Sequence, residues 1–288
     1  MSTAPAATLV TLDEMERRCA EISTLPQVAL RVIQVAGDSS AGAVELKEAV
    51  ETDPALSARV VRVVNSAAYG LRTTITNLHQ AVSYLGFNQI RNLALTASVS
   101  DVFKKGEKIG TYDRALLWRH LLSVGLCARL LASRLKLANF EDAYLAGLLH
   151  DLGIILVDQH AHDQFRFVVE SIRDNHTLPA FEKEQMGFDH CQLGARVAEN
   201  WRFPEVTRAA VRYHHNSRAY TGVGSDIVSC VEVANVICTM KGITSIGRKL
   251  VAPNTQVFNA LGLKKEDILV LATDLDQEIA ASRSLFDL

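Results

Sequence analysis

Six side chains of the kinds that bind transition metals lie at wide intervals between residues 120 and 215 of this sequence. Imidazole and carboxylate groups are common protein ligands for iron, manganese and zinc. An imidazole buried on a helix needs partners for its ring nitrogens, because an unpaired buried polar group costs about 1–3 kcal/mol. One shared ion satisfies several of them together. The six residues are His120, His150, Asp151, His190, His214 and His215.

Apolar neighbours at helical spacing indicate that these side chains point inward. His120 lies three residues after Leu117 and four before Val124, within an apolar stripe. His190 is followed one turn later by Gly194, which permits the close approach of another helix. With the other four residues placed in the same way, the sequence predicts four helices that contribute to one interior site.

A plainer interpretation exists for each histidine taken alone. A single inward imidazole is more often a core residue bonded to a backbone carbonyl than a metal ligand. The recurrence of the pattern is what favours a shared ion, because several buried rings then need partners at once. Four further histidines have more polar neighbours and are predicted to lie on the surface: His79, His160, His162 and His176.

Composition limits the classes of protein that remain. Of 288 residues, 48% are apolar and 22% are charged, and six prolines interrupt the chain, which is typical of an ordered, mostly helical globule. The net charge of -2 gives no drive toward nucleic acid or anionic lipid. Five scattered cysteines without a CxxC pair indicate free thiols in a reducing compartment. Without a signal or membrane-spanning segment, we expect a soluble, cytoplasmic protein.

The first third of the chain predicts several short helices with brief connections and no strand alternation. Residues 1–10 are expected to form a flexible tail and residues 11–104 an N-terminal helical bundle. The first predicted helix has Leu12, Met15 and Cys19 on one face, and the second is capped by Ser23 or Thr24 and begins at Pro26. A third begins at Asp53 and Pro54, and a fourth runs from Ile75 to Leu85. Asn88 is predicted to cap a fifth, which runs toward Phe103.

A polar segment with two glycines, residues 104–112, is the candidate boundary before a larger helical bundle at 105–288. The predicted fold class is therefore all-α, with the N-terminal bundle packed on the larger one as a single unit. Within the larger bundle, helices are predicted near 113–135, 141–157, 161–174, 179–186, 189–200, 204–214, 226–240 and 265–283.

The histidine pattern resembles a known superfamily. His120, the segment LLHDLG (148–153), His190 with Gly194, and the pair His214-His215 are similar in order and spacing to the HD superfamily of metal-dependent phosphohydrolases, and to its HD-GYP phosphodiesterase branch. The segments LPQVALRVIQVAGD, ETDPALSARVVRVVNSAAYG and ITNLHQAVSYLGFNQIRNLAL resemble the HDOD family of bacterial signalling proteins. The resemblance spans roughly residues 18–216.

This resemblance implies an HD-like helical bundle that holds one or two divalent transition-metal ions, iron, manganese or zinc, with the six side chains as ligands. The sequence also departs from the active pattern. Asn235 stands where catalytic members have an aspartate, and Ile154 replaces a lysine that would contact phosphate. Glu232, three residues before Asn235, is a possible stand-in. The HHExxDGxGYP signature is missing, and Glu184 is interpreted as a solvated residue.

Two main functions stay open on this basis, and a nucleic-acid- or nucleotide-binding role without chemistry is a third that the charge balance does not encourage. The favoured one is a non-catalytic signalling module, a degenerate HD scaffold that keeps the pocket and binds a regulatory protein or a small-molecule ligand. The alternative is an active metal-dependent phosphohydrolase or phosphodiesterase with an altered ligand set. No catalytic residue is assigned, and neither a membrane nor a nucleic acid is expected as a partner.

Overall fold

The computed structural model describes residues 10–21, 25–38, 40–66, 69–104 and 106–287. Within these ranges the chain is helical and has no strand, only an isolated bridge between Ile109 and Tyr112. The all-α prediction is confirmed. The first helices are α1 (Leu12–Glu21), α2 (Gln27–Gly37), α3 (Ala43–Glu51), α4 (Pro54–Val64), α5 (Leu78–Leu85) and α6 (Phe87–Val99), the last continued by a 3-10 turn at Ser100–Phe103.

The second part of the chain carries longer helices and the predicted metal ligands. The helices are α7 (Arg114–Arg134), α8 (Phe140–Leu149), α9 (Leu152–His160), α10 (His162–Ser171), α11 (Leu178–Met186), α12 (His190–Asn200), α13 (Glu205–Tyr213), α14 (Ser225–Met240), α15 (Thr255–Ala260), α16 (Lys265–Ala281) and α17 (Arg283–Phe286), with a 3-10 turn at Ser217–Ala219.

Most predicted helices are present, with ends that agree within three residues. Met15 and Cys19 face the core from α1. Asp53 caps α4 by accepting hydrogen bonds from the backbone N–H groups of Ala55 and Leu56 at 2.9 and 3.0 Å. Pro54 follows as the first helical residue, where its missing N–H is not needed. Helices α3, α15 and α17 were not predicted.

Two predicted helix boundaries are wrong. Asn88 does not cap α6, because Gly86, with a φ of 83°, separates α5 from α6 by itself and α6 begins at Phe87. The helix predicted over 141–157 is two helices, which break at His150 and Asp151. The proposed cap at Ser23 or Thr24 and residues 1–9 of the predicted tail lie outside the described residues.

Helix α7 is the centre of the larger bundle and packs against α8, α14 and α16. Its glycine at 125 and the α8 glycine at 147 let the two helices touch, since a Cβ on Gly147 would lie 2.8 Å from the Cα of Gly125. In the described part of the chain, α7 is the one helix long and apolar enough to cross a membrane, with a mean hydropathy of 1.4. However, 72% of that segment is buried inside the fold, and a core helix passes the same test.

The N-terminal helices pack on the histidine-bearing part. Helix α6 contacts α8, and α1 contacts α9 and α12. Arg18 of α1 donates a hydrogen bond to the backbone carbonyl of His160 at the end of α9, at 2.9 Å. The division of the chain into bundles at residues 104–112 stays a prediction.

Candidate metal centre

The side chain of Asp151 lies between two pairs of histidines. Its Oδ1 is 3.3 Å from Nε2 of His190 and 3.1 Å from Nε2 of His214. Its Oδ2 is 3.3 Å from Nε2 of His150 and 3.6 Å from Nε2 of His120. Each carboxylate oxygen therefore faces its own pair of imidazoles, and five of the six predicted ligands meet at one interior point.

The sixth predicted ligand, His215, joins the cluster from the half-buried side, with its Nε2 3.3 Å from Nε2 of His190. Cys191 also belongs to this group, although the sequence analysis treated it only as a free thiol. Its Sγ lies 3.4 Å from Nε2 of His190 and 3.8 Å from Nε2 of His214. The one signal in the sequence was its position directly after His190.

Helix ends position most of these side chains. His150 ends α8 and Asp151 precedes α9, so the break between these helices turns both side chains toward the same point. His190 is the first residue of α12, whose start is fixed by a reciprocal capping box between Asp189 and Gln192. His214 follows the last residue of α13. At a helix end, two residues adjacent in the sequence can both reach one site. Within a continuous helix their side chains point in different directions.

Two glycines let the backbones approach closely enough to form the cluster. A Cβ on Gly153 would lie 1.9 Å from the carbonyl oxygen of His190, so the start of α12 rests directly on α9. A Cβ on Gly194 would lie 2.7 Å from a methyl group of Val211 on α13. The close approach expected at Gly194 is thus present, and it links the helices that carry Asp151, His190 and His214.

Hydrogen bonds fix the orientation of four rings. In each, Nδ1 lies against an oxygen that can only accept, so Nδ1 carries the proton and Nε2 keeps a lone pair for the centre of the cluster. The Nδ1 acceptors are the carbonyl of Ile243 for His120 at 2.9 Å, the carbonyl of Gly147 for His150 at 2.7 Å, Oε2 of Glu182 for His190 at 2.5 Å, and the carbonyls of Ala210 and Val211 for His214 at 3.1 Å each.

The arrangement fits a transition-metal ion. Nε2 of His190 and Nε2 of His214 face each other at 3.4 Å, a contact that needs either a proton or a metal cation between the two nitrogens. Two nitrogens that bind one tetrahedral ion at about 2.0–2.1 Å are about 3.4 Å apart. Nε2 of His120, Nε2 of His150 and Oδ1 of Asp151 are buried and have no hydrogen-bond partner. A bound metal ion would supply the partner that these atoms lack.

The electrostatics of the cluster favour positive charge near Oδ1 of Asp151. Burial alone would lower the pKa of His214, but Cys191 and Asp151 outweigh it and raise that pKa to about 10. Burial also opposes protonation of His190, yet Cys191 and Glu182 raise its pKa well above 6.5. His120 behaves differently, because burial and the nearby His150 lower its pKa to about 4 and leave its ring neutral.

Glu182 is a further residue that the sequence analysis missed. Oε2 of this buried side chain on α11 accepts hydrogen bonds from both Nδ1 and the backbone N–H of His190, at 2.5 and 3.0 Å. Glu184, which was interpreted as a solvated residue, is indeed exposed on the same helix. Glu182 lies four residues after Leu178 and four before Met186, on the apolar face of the helix, and this spacing is the sequence signal that could have identified it.

Three residues stand at or near positions where the sequence differs from catalytic HD proteins, and they lie on α14 and α9. Asn235 is buried; its Oδ1 accepts from Thr239 at 3.4 Å and its Nδ2 has no hydrogen-bond partner. Glu232 accepts from the backbone N–H of Ser217 at 2.7 Å and from Asn254 at 3.0 Å. Its carboxylate thus anchors the loop after His215, which argues against Glu232 as a stand-in ligand. Ile154 is fully buried.

The remaining histidines lie outside the cluster. His79 is exposed, as predicted. His160, His162 and His176 are half-buried, so they lie at the surface with only part of each residue exposed. His162 contacts Asp158, with Nδ1 at 2.9 Å from Oδ1. Its polar sequence neighbours gave no sign of this buried carboxylate one helical turn away.

Comparison with known proteins agrees with the helical fold and the histidine pattern. A family model, the HDOD domain, matches residues 22–217, and the chain belongs to the HDOD domain family. A curated relative, an uncharacterized protein of Treponema pallidum (strain Nichols), is 25% identical over 221 residues. The alignment includes 75% of this chain but 42% of that protein, so the chain spans under half the length of this relative.

Solved structures share the whole architecture. An HDOD domain protein of unknown function from Geobacter sulfurreducens has a TM-score of 0.76 and 28% identity, over 96% of this chain and 97% of that one. A candidate signal transduction protein from Marinobacter aquaeolei VT8 has a TM-score of 0.72 and 27% identity, over 95% and 59%. A candidate phosphohydrolase from Shewanella amazonensis SB2B has a TM-score of 0.72 at 22% identity, over 95% and 97%, which shows a common fold.

Proposed function

We propose that this chain is a regulatory HDOD module in which a buried metal centre stabilises the fold and does not turn over substrate. The observation that carries the proposal is the burial of the cluster. His150, His190 and His214 have no exposed surface, and His120 and Asp151 are only 1% and 2% exposed. A phosphoester needs to reach the metal-bound water, and these five side chains present almost no surface to it.

The residues divide into two sets of ligands around Asp151. His120 and His150 with Oδ2 of Asp151 would hold one ion, and His190, His214 and His215 with Oδ1 would hold a second. Iron, manganese or zinc suits these imidazole and carboxylate donors. Such an ion supplies Lewis acidity and lowers the pKa of a bound water.

The second candidate function is a working metal-dependent phosphohydrolase. It is favoured by the ligand set itself, since all six predicted donors are retained and His215 is only half-buried. Access from the side of His215 would let a small phosphoester approach one ion. The choice between the two functions therefore depends on whether the loaded protein hydrolyses phosphoesters.

Metal analysis and a hydrolysis assay test the proposal together. We expect purified full-length protein to contain stoichiometric iron, manganese or zinc, and His150→Ala protein to contain less. We also expect the protein loaded with Mn²⁺ or Fe²⁺ to cleave bis(p-nitrophenyl) phosphate no faster than the His150→Ala variant. Turnover at ordinary enzymatic rates that His150→Ala abolishes establishes the phosphohydrolase instead. Absence of metal from carefully purified protein contradicts both functions.

The output of such a module depends on a partner. We propose a regulatory protein or a small-molecule ligand that binds to the metal-loaded fold. The net charge of -2 argues against a polyanion as this partner. A screen of nucleotides and small metabolites by the shift in unfolding temperature tests whether the partner is a small molecule. A ligand that binds only the folded state raises that temperature. A metal-depleted sample is its control.

A further inference from the structure

The ligand set on the Oδ1 side of Asp151 contains a sulfur atom, whereas the other set does not. Nitrogen atoms of His190, His214 and His215 and the Sγ of Cys191 all lie within 4.8 Å of one another. On the other side, His120, His150 and Asp151 offer only nitrogen and oxygen. The two halves of the centre therefore differ in the softness of their donors.

Cys191 is placed as a ligand and not as an ordinary core thiol. Its side chain is buried, and Sγ lies 3.4 and 3.8 Å from Nε2 of His190 and His214. The same two nitrogens lie 3.3 and 3.1 Å from Oδ1 of Asp151, which is buried without a hydrogen-bond partner. Sulfur and carboxylate oxygen thus approach one pair of lone-pair-bearing nitrogens, as donors around a common cation do.

Two further features favour the thiolate form at this position. Cys191 is in the first turn of the eleven-residue helix α12, where the helix dipole favours negative charge. Asp151 is the one anion among the six predicted ligands, and a buried divalent ion is costly without compensating charge. A thiolate supplies a second negative charge beside it.

We propose that Cys191 is a thiolate ligand of the ion on the Oδ1 side of Asp151, which gives that side three histidine nitrogens, one carboxylate oxygen and one thiolate and makes it selective for Zn²⁺ or Fe²⁺ over Mn²⁺. When the ion binds, the thiol releases its proton to solvent and the sulfur–metal bond forms. Soft sulfur donors favour zinc and iron, while manganese prefers oxygen donors. This inference rests on the proposed metal centre.

Cobalt substitution reports on the sulfur directly. The full chain is produced in cobalt-supplemented medium as wild type, Cys191→Ser and Cys230→Ser, the last being a matched control at a buried cysteine on α14. We expect a near-ultraviolet sulfur-to-cobalt charge-transfer band, together with visible d–d bands, in wild type and Cys230→Ser. Cys191→Ser is expected to keep the visible bands and lose the charge-transfer band. It should also bind Zn²⁺ at least about tenfold more weakly, with a smaller change for Mn²⁺.

The outcomes separate this inference from the proposed function. Visible cobalt bands in wild type without a charge-transfer band overturn the thiolate ligand and leave the metal centre intact. A charge-transfer band that persists in Cys191→Ser overturns the assignment to this cysteine. If wild type binds no cobalt and no zinc, the proposed metal centre itself is wrong, and the assignment of Cys191 as its ligand is wrong as well. The wild-type spectrum decides the matter even if the serine variant folds poorly.

Discussion

Glu182 and His190 are joined by a 2.5 Å hydrogen bond between Oε2 and Nδ1, although the two residues lie on different helices and neither side chain has exposed surface. The same Oε2 accepts the backbone N–H of His190 at 3.0 Å. One carboxylate therefore sets both the start of α12 and the orientation of its first ring. The negative charge of Glu182 also makes Nε2 of His190 a stronger electron-pair donor to a metal ion.

The first prediction concerns this carboxylate. Glu182→Gln keeps the size of the side chain but removes its charge, so the ring of His190 loses its anionic partner. We expect Zn²⁺ affinity, measured by competition with a chromophoric chelator, to fall by about 10–100-fold, as is usual when a ligand's supporting group is lost. The far-ultraviolet circular dichroism spectrum should stay helical.

The matched control is Glu184→Gln, because Glu184 lies on the same helix and is exposed. It makes the same chemical change two residues away and should leave zinc affinity unchanged. Equal losses in both variants would mean that the net charge of α11 matters, and not the contact with His190.

The sequence predicted the convergence of the six ligands because that convergence follows from local rules. His120 lies in an apolar stripe, and Gly194 follows His190 by one turn, so periodicity alone turns these residues inward. The break at His150 and Asp151 could not be predicted in this way. It accompanies tertiary packing, where the carbonyl of His190 rests on Gly153, and no local pattern encodes a contact between residues that far apart in the chain.

The position of Cys191 beside the cluster was also missed by the sequence analysis, for a different reason. A side chain one residue after a ligand points about 100° away on a continuous helix. At the first turn of α12 both His190 and Cys191 still reach the cluster, because the helix starts there. The sequence predicts which residues share a helix face, but not which adjacent residues converge at a helix end.

The second prediction tests the contact beneath α12. Gly153→Ala places a Cβ where the carbonyl oxygen of His190 now lies, at 1.9 Å, so the backbone of one helix has to move. We expect the free energy of unfolding, measured by urea titration, to fall by more than about 3 kcal/mol, at or above the usual range for overpacking. Metal content should fall as well, since His190 moves with its backbone.

Gly37→Ala is the control for this substitution. A Cβ there meets the carbonyl oxygen of Arg202 at 3.5 Å, an ordinary contact, and the residue ends α2. Alanine is a better helix former than glycine, so a neutral or slightly stabilising effect is expected. A Gly153→Ala protein as stable as Gly37→Ala would refute the close approach of α9 and α12.

The third prediction concerns pH and a histidine away from the metal centre. His162 faces Asp158 at 2.9 Å, Glu107 at 3.5 Å and the guanidinium of Arg166 at 3.1 Å. Burial opposes protonation, but Asp158 and Glu107 outweigh it and raise the pKa of His162 above its usual 6.5. A raised folded-state pKa stabilises the fold at pH values below about 6.5, and this contribution is lost as pH rises through the raised pKa.

His162→Gln cannot take up the proton, so its stability deficit relative to wild type should be larger near pH 6 than near pH 9. Urea unfolding of metal-saturated protein at both pH values measures the difference, and the comparison cancels groups that titrate equally in both proteins. His79→Gln, at an exposed position, should follow wild type throughout. A deficit for His162→Gln that does not change with pH means that the proton on His162 contributes nothing.

The last prediction links the metal to the stability of the fold. Removal of the ion leaves the Nε2 atoms of His190 and His214, 3.4 Å apart in a buried site, without the metal that they would share, so chelation should lower the free energy of unfolding. Above the dissociation constant, each tenfold rise in free Zn²⁺ should restore about 1.4 kcal/mol for each ion bound, because only the folded state assembles the ligands. Urea titrations across a zinc-buffered series measure this slope. His214→Gln should flatten it, and Mg²⁺, which prefers oxygen donors, should give none. A wild-type slope of zero would show that these side chains form a core held together without an ion.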